Sequence, residues 1–226
     1  MRHLALLLLG AVCLLLPATA QGLAIAPIML NAPADGGATS LSVSSALGHD
    51  VTVQVRVFDW TQAAGEDQLT PAKGLRFAPE IFTLRPGTSQ IIRMSVPATG
   101  GTGAWRVVID ELPAAEPAQA PSAAQLSIRL RYVLAMFAGA PASAEALDAR
   151  LDEEALTLRN TGPGWLRLHN LSLQTASGAV MPADAGIVYL LPGSELDLAR
   201  PAGAEVSMLN YHVAGEPFAA PLRPGK

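Results

Sequence analysis

Cysteine is almost missing from this 226-residue chain, which carries only Cys13. A single cysteine excludes an intrachain disulfide framework and any Cys-rich zinc centre. Charge is also scarce: 15% of residues are charged, with 15 Lys and Arg against 19 Asp and Glu and a net charge of −4. Such a balance leaves no basic stripe for nucleic acid. Long apolar runs are absent beyond the first twenty residues; the most apolar later stretch, Leu130–Ala138, is strand-sized. A spanning helix needs about 20 apolar residues, so the chain is not expected to be membrane-embedded. Helical periodicity is nearly absent as well. What is abundant is apolar content, at 50%, together with 20 Gly and 18 Pro. This argues against disorder and coiled coil, and suits one large or two small domains.

Residues 1–20 have the layout of a secretory signal: Arg2, an apolar run from Leu4 to Leu16, then Ala18-Thr19-Ala20 as a small-residue cleavage site. Cleavage near Ala20 would remove the only cysteine and point to the periplasm. Val12 stands where a lipid-anchor site at Cys13 would want a small residue, so an anchor is not expected.

The remainder reads as strands punctuated by Gly and Pro: Leu23–Leu30, Thr39–Ser45, Val51–Trp60, Ile81–Leu84, Ser89–Val96, Trp105–Leu112 and Leu126–Phe137. Val51, Val53, Val55 and Val57 alternate with Thr52, Gln54, Arg56 and Phe58, the period of a strand with one face in a core. Seven such segments suggest a sandwich. Pro113–Gln125 is Pro/Ala-rich and reads as a loop. A composition break at Ala138–Ser143 sets a domain boundary, giving 21–138 and 139–226. In the second part, strands are expected at Ala155–Arg159, Trp165–Gln174, Ile187–Leu191, Ser194–Leu198 and Glu205–Val213, and Leu147–Glu154 has helical character.

Chemistry is sparse. His49, His169 and His212 are never three or four residues apart, so each reads as a surface or turn residue rather than a metal ligand. There is no Gly-x-Ser-x-Gly elbow. Gly100-Gly101-Thr102-Gly103 lacks the Lys-Ser/Thr of a phosphate loop. An enzyme is not expected, and no cofactor is implied. Trp60, Trp105 and Trp165 lie within strand patterns and read as core, against a carbohydrate-binding module. The unusual feature is Leu126–Phe137, in which Leu126, Ile128, Leu130, Tyr132, Leu134 and Met136 share one face. Eleven residues in one strand would span roughly 36 Å, about twice a common strand. The face either belongs to a large sheet or extends past its own core toward a partner, an edge that folded chains normally protect.

These residues resemble the periplasmic pilus-assembly chaperones, the PapD-like family, and within it the archaic branch serving spore-coat-U-type pili. The resemblance runs through Ala26-Pro27-Ile28, the strand Val51–Trp60, Phe77-Ala78-Pro79, Leu84-Arg85-Pro86-Gly87 and Gln90–Met94. Its most specific part is Trp105-Arg106 through Glu111-Leu112-Pro113, and Arg159-Asn160-Thr161-Gly162 matches a turn more weakly. The resemblance implies an all-β chain of two immunoglobulin-like β-sandwich domains in an L, with no catalysis. It implies a chaperone that lends a strand to pilin subunits and delivers them to an outer-membrane usher. Self-association of the free chaperone is left open. The lent residues would be Leu126, Ile128 and Leu130, with Tyr132 and Leu134 extending the series. The family's carboxylate-anchoring Arg and Lys are replaced here by Met29 and Ala135; substitutes are Arg131 and Arg93, then Arg129 and Arg106. Arg93 also competes for an interdomain ion pair with Glu111, whose acidic third partner is absent around Asn210-Tyr211-His212. The competing class is a structural pilin-like or adhesive β subunit.

Overall fold

The computed structural model describes residues 22–113, 129–200 and 205–225. Its first half contains β1 (Leu23–Ala26), β2 (Met29–Ala32), β3 (Gly37–Ser45), β4 (Val51–Ala63), β5 (Glu66–Pro71), β6 (Arg76–Ala78), β7 (Ile81–Leu84), β8 (Ser89–Val96), β9 (Gly103–Glu111) and β10 (Arg131–Ala138). After a short 3₁₀ turn at Ala144–Ala146 follow β11 (Leu147–Leu151), β12 (Ala155–Asn160), β13 (Leu166–Thr175), β14 (Val180–Pro182), β15 (Val188–Leu190), β16 (Glu195–Ala199), β17 (Val206–Val213), β18 (Glu216–Pro221) and β19 (Arg223–Pro224).

Two sandwiches result. The first packs the sheet β1-β3-β8-β6 against β2-β10-β9-β4-β5, with β7 on β4. The alternating valines of β4 supply its core: Val53 and Val55 are fully buried with Ile92, Val107 and Ile109. The second pairs β16-β12-β11-β19 with β14-β13-β17-β18, with β15 on β13. Leucines dominate its core: Leu156, Leu158, Leu166, Leu168 and Leu209. The architecture is the two-sandwich, all-β one expected.

Three expectations change. Leu23–Leu30 is not one strand. Pro27 has no N–H to continue a ladder, and around it the chain leaves β3, which β1 pairs, to run parallel with β10 as β2. Leu147–Glu154 is not helical: Leu147 and Ala149 face the core while Asp148 and Arg150 share an ion pair on the other side. Those few apolar residues suit either period, and the ladder with β12 selects the strand. Finally, the strand expected from Leu126 begins, among the described residues, at Arg131. Leu126, Ile128 and the expected loop beyond Pro113 lie outside the described residues. Strands β5, β6, β14, β18 and β19 were not expected. Their short or polar segments, such as the fully exposed Glu66–Pro71, carry no buried face to show a period.

The sandwiches meet through a separate cluster of Trp60, Ala135, Phe137, Trp165 and Leu191. Phe137 stacks on Trp165 with ring centres 4.3 Å apart and planes 10° from parallel. Gln62 completes the joint: its Nε2 donates to the Tyr189 carbonyl at 2.9 Å, while its Oε1 accepts from Leu191 N–H at 2.8 Å and Ser194 Oγ at 2.7 Å. Of the three tryptophans expected in a core, Trp105 is in one; Trp60 and Trp165 form the joint. Gly164 belongs to this joint, since a Cβ there would meet the Ala140 carbonyl at 2.4 Å.

Candidate functional site

β10 is the organising element. On one side it pairs with β9 along its whole length, Arg131 opposite Asp110 through Ala138 opposite Gly103. On the other it pairs with β2 only from Ala135 to Ala138. Among the described residues no strand pairs with that side of Arg131–Leu134, so half of β10 is an open edge whose backbone groups can accept another chain.

The face of β10 that looks into the first sandwich also opens toward the same end. Met136 is fully buried, Leu134 is 7% exposed, Tyr132 is partly buried and Leu130, just before the strand, is 46% exposed. Tyr132 packs on the core edge, its hydroxyl donating to the Leu23 carbonyl at 3.4 Å. Burial and the Glu111 charge raise its phenol above the usual tyrosine range. Leu134, expected to extend the donated series, has its side chain in this chain's own core, because β10 still has an opposing sheet at that level. Leu130 is beyond it and free.

Outside this edge lies a charged network. Asp110 accepts from Arg131 Nε at 2.5 Å and from Arg56 Nη2 at 2.7 Å. Burial opposes ionisation of Asp110, but the two guanidiniums outweigh it and hold the carboxyl below its ordinary value. Arg129, Leu130 and Glu111 share the same hollow. Arg131 stays 63% exposed, so part of its fork remains available beside the open edge.

Arg93 is not part of this site. It projects from the solvent side of β8, between buried Ile92 and Met94, in the opposite sheet from Glu111. Glu111 ends β9, whereas the joint with the second sandwich lies near the other end of that strand, where Thr102 Oγ1 donates to the Pro163 carbonyl at 2.9 Å. Arg93 and Glu111, expected as an interdomain ion pair, sit on different sheets, and among the described residues no ion pair joins them. Gln62 and the aromatic cluster brace the domains instead.

Arg106 occupies the cleft between the sandwiches. Its guanidinium lies 3.6 Å over the Trp60 ring and pairs with Asp67 at 2.9 Å. Burial again opposes the Asp67 charge, but hydrogen bonds from Gln62 and Arg106 prevail and lower its pKa. Met29 and Ala135, which stand where the family has its anchoring pair, are register partners on adjacent strands and line this same cleft. Opposite them sequence reasoning missed Arg167, which projects from β13 into the cleft among Ile28, Val133 and Ile187. Among the described residues it has no ion-pair partner. The signal was present in Trp165-Leu166-Arg167-Leu168, where a lone cation alternates with buried leucines.

An open edge, an emerging apolar series and an arginine-bearing cleft define a strand-binding protein with two sandwiches. Residues 22–143 match the family described as pili and flagellar-assembly chaperone, PapD N-terminal domain, and the chain belongs to it. That places it among pilus chaperones rather than among the β subunits they assemble. The fold agrees with solved chaperones. A complex of the chaperone CsuC with the tip adhesion subunit CsuE, from archaic chaperone-usher Csu pili of Acinetobacter baumannii, is similar at 20% identity and TM-score 0.68, covering 91% of this chain and 100% of that one. The E. coli chaperone DraB is similar at 17% identity and TM-score 0.65, covering 90% and 97%. The SafB chaperone in its complex with the Salmonella enterica SafA pilin is similar at 18% identity and TM-score 0.65, covering the same shares. No curated protein matches the chain. Among the described residues no helix is long and apolar enough to cross a membrane.

Proposed function

We propose that this chaperone acts in the periplasm after loss of residues 1–20, capturing pilin subunits on the open edge of β10 and delivering them to an outer-membrane usher. The observation that carries the reading is the coincidence, at one end of one strand, of an unpaired backbone edge with a face whose burial fades from Met136 to Leu130. Backbone hydrogen bonds along the edge supply generic affinity, and alternate side chains supply fit. Leu130 is the first free member of the series; Ile128 and Leu126 continue it two residues at a time. Each aliphatic side chain buried in a partner's groove contributes about 1.5–3 kcal/mol before the costs of association. Residues 21–138 and 139–226 form the two domains, and the cleft between them receives the partner's terminal carboxylate. Arg167 is the principal anchor there, with Arg106 behind it, because a guanidinium without an acidic partner in an apolar cleft is best used by a charge-assisted, bidentate contact. Arg131 and Arg129 flank the incoming strand rather than its end.

The test is co-expression with the pilin encoded beside this chaperone. A one-to-one complex forms with the wild type, and Ile128→Asp with Leu130→Asp abolishes it while the melting temperature of the free chaperone is unchanged. Capture that survives both charges removes the donor assignment. Arg167→Ala weakens capture more than Arg131→Ala; the reverse order moves the anchor out of the cleft.

A further inference from the structure

His169 and His212 are 43 positions apart in sequence, yet they are direct cross-strand partners on β13 and β17, with ring centres 5.4 Å apart and planes tilted by 47°. Both are partly buried on the solvent side of the second sandwich, each directly following a core-facing residue on its strand, Leu168 and Tyr211. We propose that this pair is a binding site for a borderline divalent transition-metal ion such as Zn²⁺, Ni²⁺ or Cu²⁺. Two imidazoles coordinated at about 2.0–2.1 Å to one tetrahedral ion hold their ring centres about 5.2 Å apart. The observed separation matches that spacing, and rotation about the side chains turns one nitrogen of each ring toward the ion. Neutral imidazole suits these metals and disfavours Mg²⁺ and Ca²⁺, which require oxygen ligands.

The backbone supports the arrangement. Immediately after His169 the ladder with β17 shifts register, and Asn170 adopts φ 53°. A bulge of this kind re-aims neighbouring side chains, and asparagine is among the few residues that tolerate the left-handed region. Arg167, two residues earlier on the same face, adds a positive neighbour, and Glu216, opposite Val213 and one pair beyond His212, adds a negative one. Among the described residues no set of three or more His, Cys, Asp and Glu is grouped for a metal. The site is thus a two-histidine chelate whose other positions are taken by water.

Calorimetric titration of the untagged protein with Zn²⁺ alone tests it. The expected result is one saturable site that His169→Gln and His212→Gln each weaken by about 100-fold, because the second imidazole binds at an effective concentration set by the fold. His49→Gln, in the first sandwich, leaves the site unchanged. Near-UV circular dichroism of each variant confirms that the sheet is retained. Two variants that bind as the wild type does, equal loss in His49→Gln, or no saturable site overturn the proposal and leave the pair as a cross-strand aromatic contact. Because pilin plays no part in this titration, its outcome is independent of the donor-strand reading.

Discussion

The two halves of β10 share one strand and one alternation, yet they do opposite work. From Ala135 to Ala138 every residue is at most 2% exposed, with β2 on one edge, β9 on the other, the first core beneath and the second sandwich above. From Arg131 to Leu134 the strand keeps β9 but loses β2, and Val133, at the cleft beside the second sandwich, is 50% exposed. Identical local structure thus becomes joint at one end and open edge at the other. The lesson is that availability on a strand is decided by which neighbours end first, not by the strand's own hydrophobicity.

Substitutions along and around β10 can break this contrast. Phe137→Ala removes a ring stacked on Trp165 and packed against Trp60 and Tyr189 and should cost about 3–5 kcal/mol, read by denaturant unfolding of the two-domain chain. Leu134→Ala is expected to cost about 2–5 kcal/mol, whereas Leu130→Ala, only four residues away, stays within about 0.5 kcal/mol of the wild type. Equal losses at the two positions would erase the distinction between core and edge. Gln62→Ala leaves the Leu191 N–H and Tyr189 carbonyl without their partner and should cost about 1–3 kcal/mol. Its cleavage by protease within the linker between the sandwiches should accelerate in parallel.

The smallest effect concerns Asp67, whose folded pKa is lowered. A carboxylate with a depressed folded pKa contributes stability above its unfolded value, about 3.9, that is lost as pH falls through the folded pKa. Asp67→Asn should therefore lower stability at pH 7 by about 1 kcal/mol or less, since the pair is partly solvated. The difference between variant and wild type should vanish in strong acid. A thermal melt of both proteins at pH 7 and near pH 2 measures it.

Much of this was legible beforehand. The valine alternation of β4 and the leucines of β13 place their own inner faces, because a period of two needs no tertiary partner to be recognised. The resemblance carried by Trp105–Pro113 indicated the family. The arginines proposed to hold a partner's carboxylate were not legible in the same way. Arg93 and Arg131 carry the same charge in the same kind of strand, and only the sheet assignment separates one from the site. Arg167 lies 36 residues downstream of Arg131, in the other sandwich, and enters the cleft only because the chain folds back across it.

Scarcity of cysteine, with abundant apolar alternation, determined by itself that this chain builds strands, buries one face of the longer ones and holds no intrachain disulfide. Local sequence suffices there, since side-chain period and turn chemistry are properties of neighbouring residues. Tertiary structure alone decided that Pro27 sends the chain to a second sheet, that Leu134 is core and Leu130 is not, and that His169 meets His212. Each depends on what lies opposite, and the register between distant strands is set by packing of whole sheets rather than by any one segment.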